Sequence, residues 1–214
     1  MNVKRKVDSV FWISSIAFAL LSAAAGARLL HPIDVWLLHA AQSRASEILD
    51  AAGEIFSVPG AAEYAGAAML VLVTGLFLAD RRVLTGRLLA AFVASGLLEF
   101  AMKLWLPQTP VPEEAARSAD PTPILEVNYP YPYPSGHMLR SVILLGAVFV
   151  LWPNRLVRAA ILTVLLGVAA SRVYLGVHWA SDVIGGALLG VAGLAWVFRR
   201  EVSGFRHQQE TAET

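Results

Sequence analysis

Ser171-Arg172 is followed after five residues by His178, and after three more by Asp182. An imidazole and a carboxylate four positions apart meet on one helical face. The carboxylate then fixes the ring tautomer through one nitrogen and makes the other a nucleophile or base. Arg172 adds a planar, permanently charged fork that matches phosphate oxygens. A lone His–Asp pair is more often structural than catalytic, but an arginine beside it at the end of an apolar run shifts the balance. A second group, Pro134-Ser135-Gly136-His137, leads straight into another apolar run. Ser135 is a good helix N-cap, and Gly136 lets backbone N–H groups come close to an anion. A helix start attracts phosphate through its N–H groups and dipole. His137 stands there as a candidate proton donor. On its own, this group is also an ordinary helix start. A third candidate is Lys103, with Glu99 four residues before it. It reads as a phosphate-binding cation, as half of an intrahelical ion pair or as a snorkelling lysine.

Two histidines, an acid, an arginine and a lysine make up an inventory for phosphoryl transfer without metal ligands. The spacing lacks a compact metal triad such as H-E-x-x-H, and the cations would repel a metal ion. No metal and no organic cofactor is therefore expected. The chain contains no cysteine, which excludes disulfides, thiolate metal sites and a cysteine nucleophile.

The elements that must position these groups are membrane helices. Of the 214 residues, 57% are hydrophobic and only 15% charged, against about half and a quarter in soluble domains. The apolar residues fall in long runs broken by short charged or Pro-rich segments, as in polytopic membrane proteins. Six spans are expected, at about Val10–Ala27, Ala61–Ala79, Leu88–Leu106, Met138–Trp152, Leu156–Val173 and Val183–Phe198. The first has a basic flank (Lys4, Arg5, Lys6), but its apolar core is long for a cleaved signal, so it reads as a retained helix. The fold class is thus all-α, a polytopic bundle of about six transmembrane helices plus one interfacial helix. Residues 1–200 read as one membrane domain and 201–214 as a polar cytoplasmic tail. No basic block points to nucleic acid.

With the N-terminus inside, eleven of the seventeen Lys and Arg residues fall on the cytoplasmic side, as the positive-inside bias requires. Both termini are then cytoplasmic, and all three chemical clusters lie on the outer face. Two outer segments are long. Pro32 to Phe56 has helically spaced apolar residues and reads either as a helix lying in the interface or as one packed across the bundle mouth. Pro107 to Pro134 is Pro-rich and holds Tyr129, Tyr131 and Tyr133 alternating with prolines, which keeps the chain extended. Its tyrosines either line a lipid entrance or simply anchor at the headgroups.

These residues resemble the type 2 phosphatidic acid phosphatase superfamily, which includes bacterial lipid-phosphate and polyprenyl-pyrophosphate phosphatases and the vanadium haloperoxidases. The family pattern is Lys-x6-Arg-Pro, Pro-Ser-Gly-His and Ser-Arg-x5-His-x3-Asp. Pro134–His137 matches the second motif, and Ser171, Arg172, His178 and Asp182 match the third with its spacing. The first motif departs: Lys103 is present, but Pro110 stands where the family has Arg. Shifting the alignment by one residue puts Thr109 and Val111 at the two Arg positions. Arg140, three residues after His137 and on the same helix face, is the candidate replacement; the alternative is an arginine snorkelling at the rim.

The resemblance implies that His178 attacks phosphorus, Asp182 orients it and His137 serves the leaving group. Lys103, Ser135, Gly136 and Arg172 would hold the phosphate oxygens, with Arg140 as the added cation. The implied substrate is a membrane lipid phosphate or an isoprenyl (pyro)phosphate. Two competing readings remain open: a member that binds or moves a phosphorylated lipid without cleaving it, and a haloperoxidase, against which the multiple spans argue.

Overall fold

The computed structural model describes residues 3–117 and 129–199. Eight α-helices follow in order among them: α1 Val3–Gly26, α2 His31–Gln42, α3 Glu47–Ser57, α4 Ala62–Leu78, α5 Arg82–Trp105, α6 Gly136–Leu151, α7 Arg155–Tyr174 and α8 Ala180–Phe198. Short 3₁₀ turns occupy Val58–Gly60 and Glu113–Ala115, and no strand occurs among the described residues. The expected all-α class is observed, with a helix at each of the six expected spans.

Length and apolarity separate those six. Helices α1, α5, α7 and α8 are long and apolar enough to cross a membrane. The α3 segment, with its 3₁₀ turn, and α4 pass the same test only as a pair bent by 44°. Helix α6 has 16 residues, and at 1.5 Å per residue it reaches about 24 Å, short of the roughly 30 Å hydrocarbon core. Its lipid contact is correspondingly small, because both of its flanks are covered by α8 and α7.

Helix ends follow local chemistry. Asn154 accepts hydrogen bonds from the N–H groups of Leu156 and Val157 and starts α7, just after Pro153 has ended α6. Pro107 likewise follows the end of α5. Helix α8 runs through the middle of the bundle and packs on α1, α5 and α6. Its glycines permit the close approach to α6. A Cβ on Gly190 would come within 2.8 Å of the Val142 side chain, and one on Gly186 would overlap the Ser135 carbonyl. Small residues at four-residue spacing are the usual means of drawing membrane helices together. Large apolar side chains such as Ile13, Leu20, Leu70, Val71, Leu97 and Leu166 face outward, as a bilayer solvent requires.

The Pro32–Phe56 segment departs from the single helix expected. It forms two helices, α2 and α3, broken at residues 43–46, where Ser46 caps α3 by accepting from Leu49 N–H. Buried Asp34 and Leu38 in α2, and Gly53 and Ser57 in α3, set both helices on α7, with α2 also touching α8. The packed-across-the-mouth reading is therefore the one observed. An unbroken amphipathic helix would have turned Asp34 and Ser57 to incompatible directions. The expected tail at 201–214 lies outside the described residues.

Candidate active site

The C-terminal ends of α5 and α7 and the N-terminal ends of α6 and α8 meet at one end of the bundle, beneath α2 and α3. Every sequence-expected site residue lies there. Arg172, Arg140, His178 and Lys103 all lie within electrostatic reach of His137, so the three sequence clusters converge on a single locus.

His178 and Asp182 pair as expected, with His178 Nδ1 3.2 Å from Asp182 Oδ2. The local geometry differs from a shared helix face, because α8 begins only at Ala180. After α7 the chain turns at Gly176, whose φ of +69° suits glycine. The His178 N–H then donates to the Arg172 carbonyl at 3.2 Å. Asp182 sits in the first turn of α8 and accepts from the Trp179 N–H at 2.9 Å. The carboxylate thus caps the helix while holding the imidazole. Asp182 is fully buried, so its orientation is fixed by packing.

Arg172, 2% exposed, donates through Nη1 to Ser57 Oγ at 3.0 Å. Ser57 ends α3, which makes the capping helices part of the site. Gly60, in the turn that follows, accepts from Arg140 Nε at 2.9 Å. The two backbone segments touch there: a Cβ on Gly60 would lie 2.6 Å from the His137 carbonyl. Arg140 therefore points into the site and does not snorkel at the rim. Its Nη1 lies 3.2 Å from Glu99 Oε2, and Lys103 Nζ lies 2.9 Å from Glu99 Oε1. The intrahelical Glu99–Lys103 pair foreseen as one reading of Lys103 is present, and the carboxylate is shared with Arg140.

Ser135 occupies the N-cap position of α6 in an extended conformation, but its side chain makes no capping bond. The expectation of a serine-capped helix is corrected on that point: the hydroxyl is buried with no hydrogen-bond partner among the described residues. Its backbone N–H donates to the Asp182 carbonyl at 2.9 Å. That bond ties the start of α6 to the start of α8.

Residues that sequence reasoning missed hold this frame. Asp34 of α2 accepts from both the N–H and the hydroxyl of Ser181. Burial pushes its carboxyl up from the ordinary range, and the Ser181 bonds oppose that. Gln108 donates to Ser181 Oγ at 3.1 Å, and the Thr109 carbonyl accepts from Trp179 Nε1 at 2.7 Å. Where the motif would have an arginine, the chain thus uses Gln108 and the Thr109 backbone to brace the start of α8. An acid inside the apolar stripe of α2 was the available signal for Asp34. Among the described residues, no group of three His, Asp or Glu side chains is arranged to hold a metal ion.

A family model described as the PAP2 superfamily matches residues 64–203. The fold is similar to the crystal structure of a transmembrane PAP2-type phosphatidylglycerolphosphate phosphatase from Bacillus subtilis. The TM-score is 0.70 at 21% identity, over 92% of this chain and 96% of that one. At that identity the likeness concerns the fold. No curated protein matches the sequence.

Proposed function

The chain belongs to the PAP2 superfamily, and from that premise we propose that it is an integral-membrane phosphatase. It removes phosphate from a lipid phosphate or an isoprenyl (pyro)phosphate through a phosphohistidine intermediate. The observation that carries this reading is the buried His178–Asp182 pair, which lies within electrostatic reach of His137, as do Arg172, Arg140 and Lys103.

In the first step His178 Nε2 attacks phosphorus while the bond to the leaving oxygen breaks. Asp182, on Nδ1, fixes the tautomer and stabilises the positive ring. His137 gives its proton to the departing oxygen. In the second step His137 takes a proton from water, which attacks phosphorus, breaks the P–N bond and releases phosphate. Lys103, Arg172 and Arg140 balance the charge spread over the equatorial oxygens, with the Ser135 hydroxyl and the Gly136 N–H as neutral donors. Fixed donors in a partly dry site do this without reorganisation, so the chemistry requires neither a metal nor an organic cofactor. Arg140 supplies the cation that Pro110, or Thr109 and Val111, cannot.

The positive-inside bias supports a site on the outer face and cytoplasmic termini. Phosphatidylglycerol phosphate, phosphatidic acid and an undecaprenyl-type pyrophosphate form the substrate panel. Phosphate release from one of them by purified protein, lost in His178→Ala, is the test. A folded protein that binds these lipids without turnover would instead favour the reading of binding without cleavage.

A further inference from the structure

The space beside Gly136 was expected to admit a phosphate, but the chain's own carboxylate fills it. A Cβ on Gly136 would overlap Glu99 Oε1 and would also crowd Arg140 Nη1 at 2.8 Å. Glu99 is 6% exposed and lies between Lys103 Nζ at 2.9 Å and Arg140 Nη1 at 3.2 Å. Two cations and the uncapped start of a helix make up an anion seat, and a carboxylate sits in it.

We propose that Glu99 is a built-in competitor of substrate phosphate for Lys103, Arg140 and the first turn of α6, and that binding requires its displacement. This deepens the phosphatase reading and rests on it. Both cations have other supports, so Glu99 is not needed to hold them in place. Arg140 Nε is bound to the Gly60 carbonyl. Lys103 Nζ lies 4.7 Å from the centre of the Tyr129 ring, and the Lys103 carbonyl accepts from Tyr131 N–H at 3.2 Å.

A phosphate dianion brings more charge and more acceptor oxygens than a carboxylate, so it wins the seat when lipid contacts help to bring it there. Free phosphate lacks those contacts and competes poorly. The device weakens ground-state binding of small anions and speeds loss of the phosphate product. Glu99 is then a residue that sets how tightly the site holds phosphate, in substrate and product alike.

The test is calorimetric titration of inorganic phosphate into wild type and Glu99→Gln in detergent, beside KM for a turned-over lipid phosphate. Competition predicts that Glu99→Gln binds inorganic phosphate about tenfold more tightly and that KM falls in parallel. A scaffold role predicts the opposite sign, so equal or weaker binding by Glu99→Gln overturns the proposal, as does undetectable binding by both proteins. Should Glu99→Gln fail to fold, Glu99→Asp retracts the carboxylate by one methylene and must also bind phosphate more tightly. Absence of lipid phosphate turnover by wild type would count against the phosphatase reading, while the sign of the phosphate-binding change still reports on Glu99.

Discussion

Both carboxylate oxygens of Asp34 are engaged by one residue, Ser181: Oδ1 accepts from its N–H at 2.9 Å and Oδ2 from its hydroxyl at 2.7 Å. Asp34 lies on α2, outside the stretch that the family model matches, and Ser181 immediately precedes Asp182. A helix near the N-terminus therefore braces the turn that carries the His178 partner.

Removal of that brace has an expected cost. A hydrogen bond to a charged group contributes about 1.5–3 kcal/mol, and Asp34→Ala loses two while leaving Ser181 buried. The variant should be destabilised by about 3–6 kcal/mol, seen as a lower melting temperature in detergent. Its kcat should fall with little change in KM, because the brace orients the nucleophile and does not touch substrate. Unchanged melting and turnover would show that the pair is idle.

Ser57 acts on the other side. Its hydroxyl accepts from Arg172 Nη1 at 3.0 Å, so Ser57→Ala removes one of the contacts that hold the arginine proposed to bind phosphate. We expect a rise in KM of about three- to tenfold, the scale of one lost bond to a charged group. A change confined to kcat would assign Ser57 elsewhere.

Arg140 should behave as a substitute for the missing motif arginine. Arg140→Ala is expected to lower kcat/KM by about 10²-fold, comparable to loss of one oxyanion donor. Arg140→Lys should recover only part, since a point charge cannot serve the Gly60 carbonyl and a phosphate oxygen together. If Arg140→Ala leaves phosphate release unchanged while His178→Ala abolishes it, the substitution idea fails.

Orientation is open to chemical labelling, helped by a chain without native cysteine. Exposed Glu47 starts α3 near the site end, and exposed Asp80 lies in the turn before α5. Glu47→Cys should label with an impermeant thiol reagent in intact cells, and Asp80→Cys only after permeabilisation. The reverse pattern would invert the topology.

Much of this was legible in the sequence because membrane helices announce themselves by apolar length, and because the chemical residues sit at the ends of those runs. His178 and Asp182 could be paired from their spacing alone. Their setting could not, since the start of α8 at Ala180 depends on Gly176 turning the chain and on Asp182 capping it. The split of residues 32–56 into α2 and α3 was hidden because the apolar spacing continues across the break. The roles of Asp34, Ser57, Gly60 and Gln108 were hidden for a different reason, although Asp34 did stand out as an acid in an apolar stripe. Each acts through a partner distant in sequence, such as Ser181, Arg172 or Arg140, and no local pattern records such a pairing. Glu99 was read only as the ion-pair partner of Lys103, because the contact with Arg140 and Gly136 requires α5 and α6 to be set side by side.

The most direct measurement is phosphate release from the three-lipid panel by purified wild type and His178→Ala, with chelator present throughout. The account predicts release from at least one lipid that persists under chelation and falls by at least about 10⁴-fold in the variant, with a phosphorylated histidine trapped from wild type by alkaline quench. Release that chelation abolishes, or that survives in His178→Ala, would contradict the histidine mechanism.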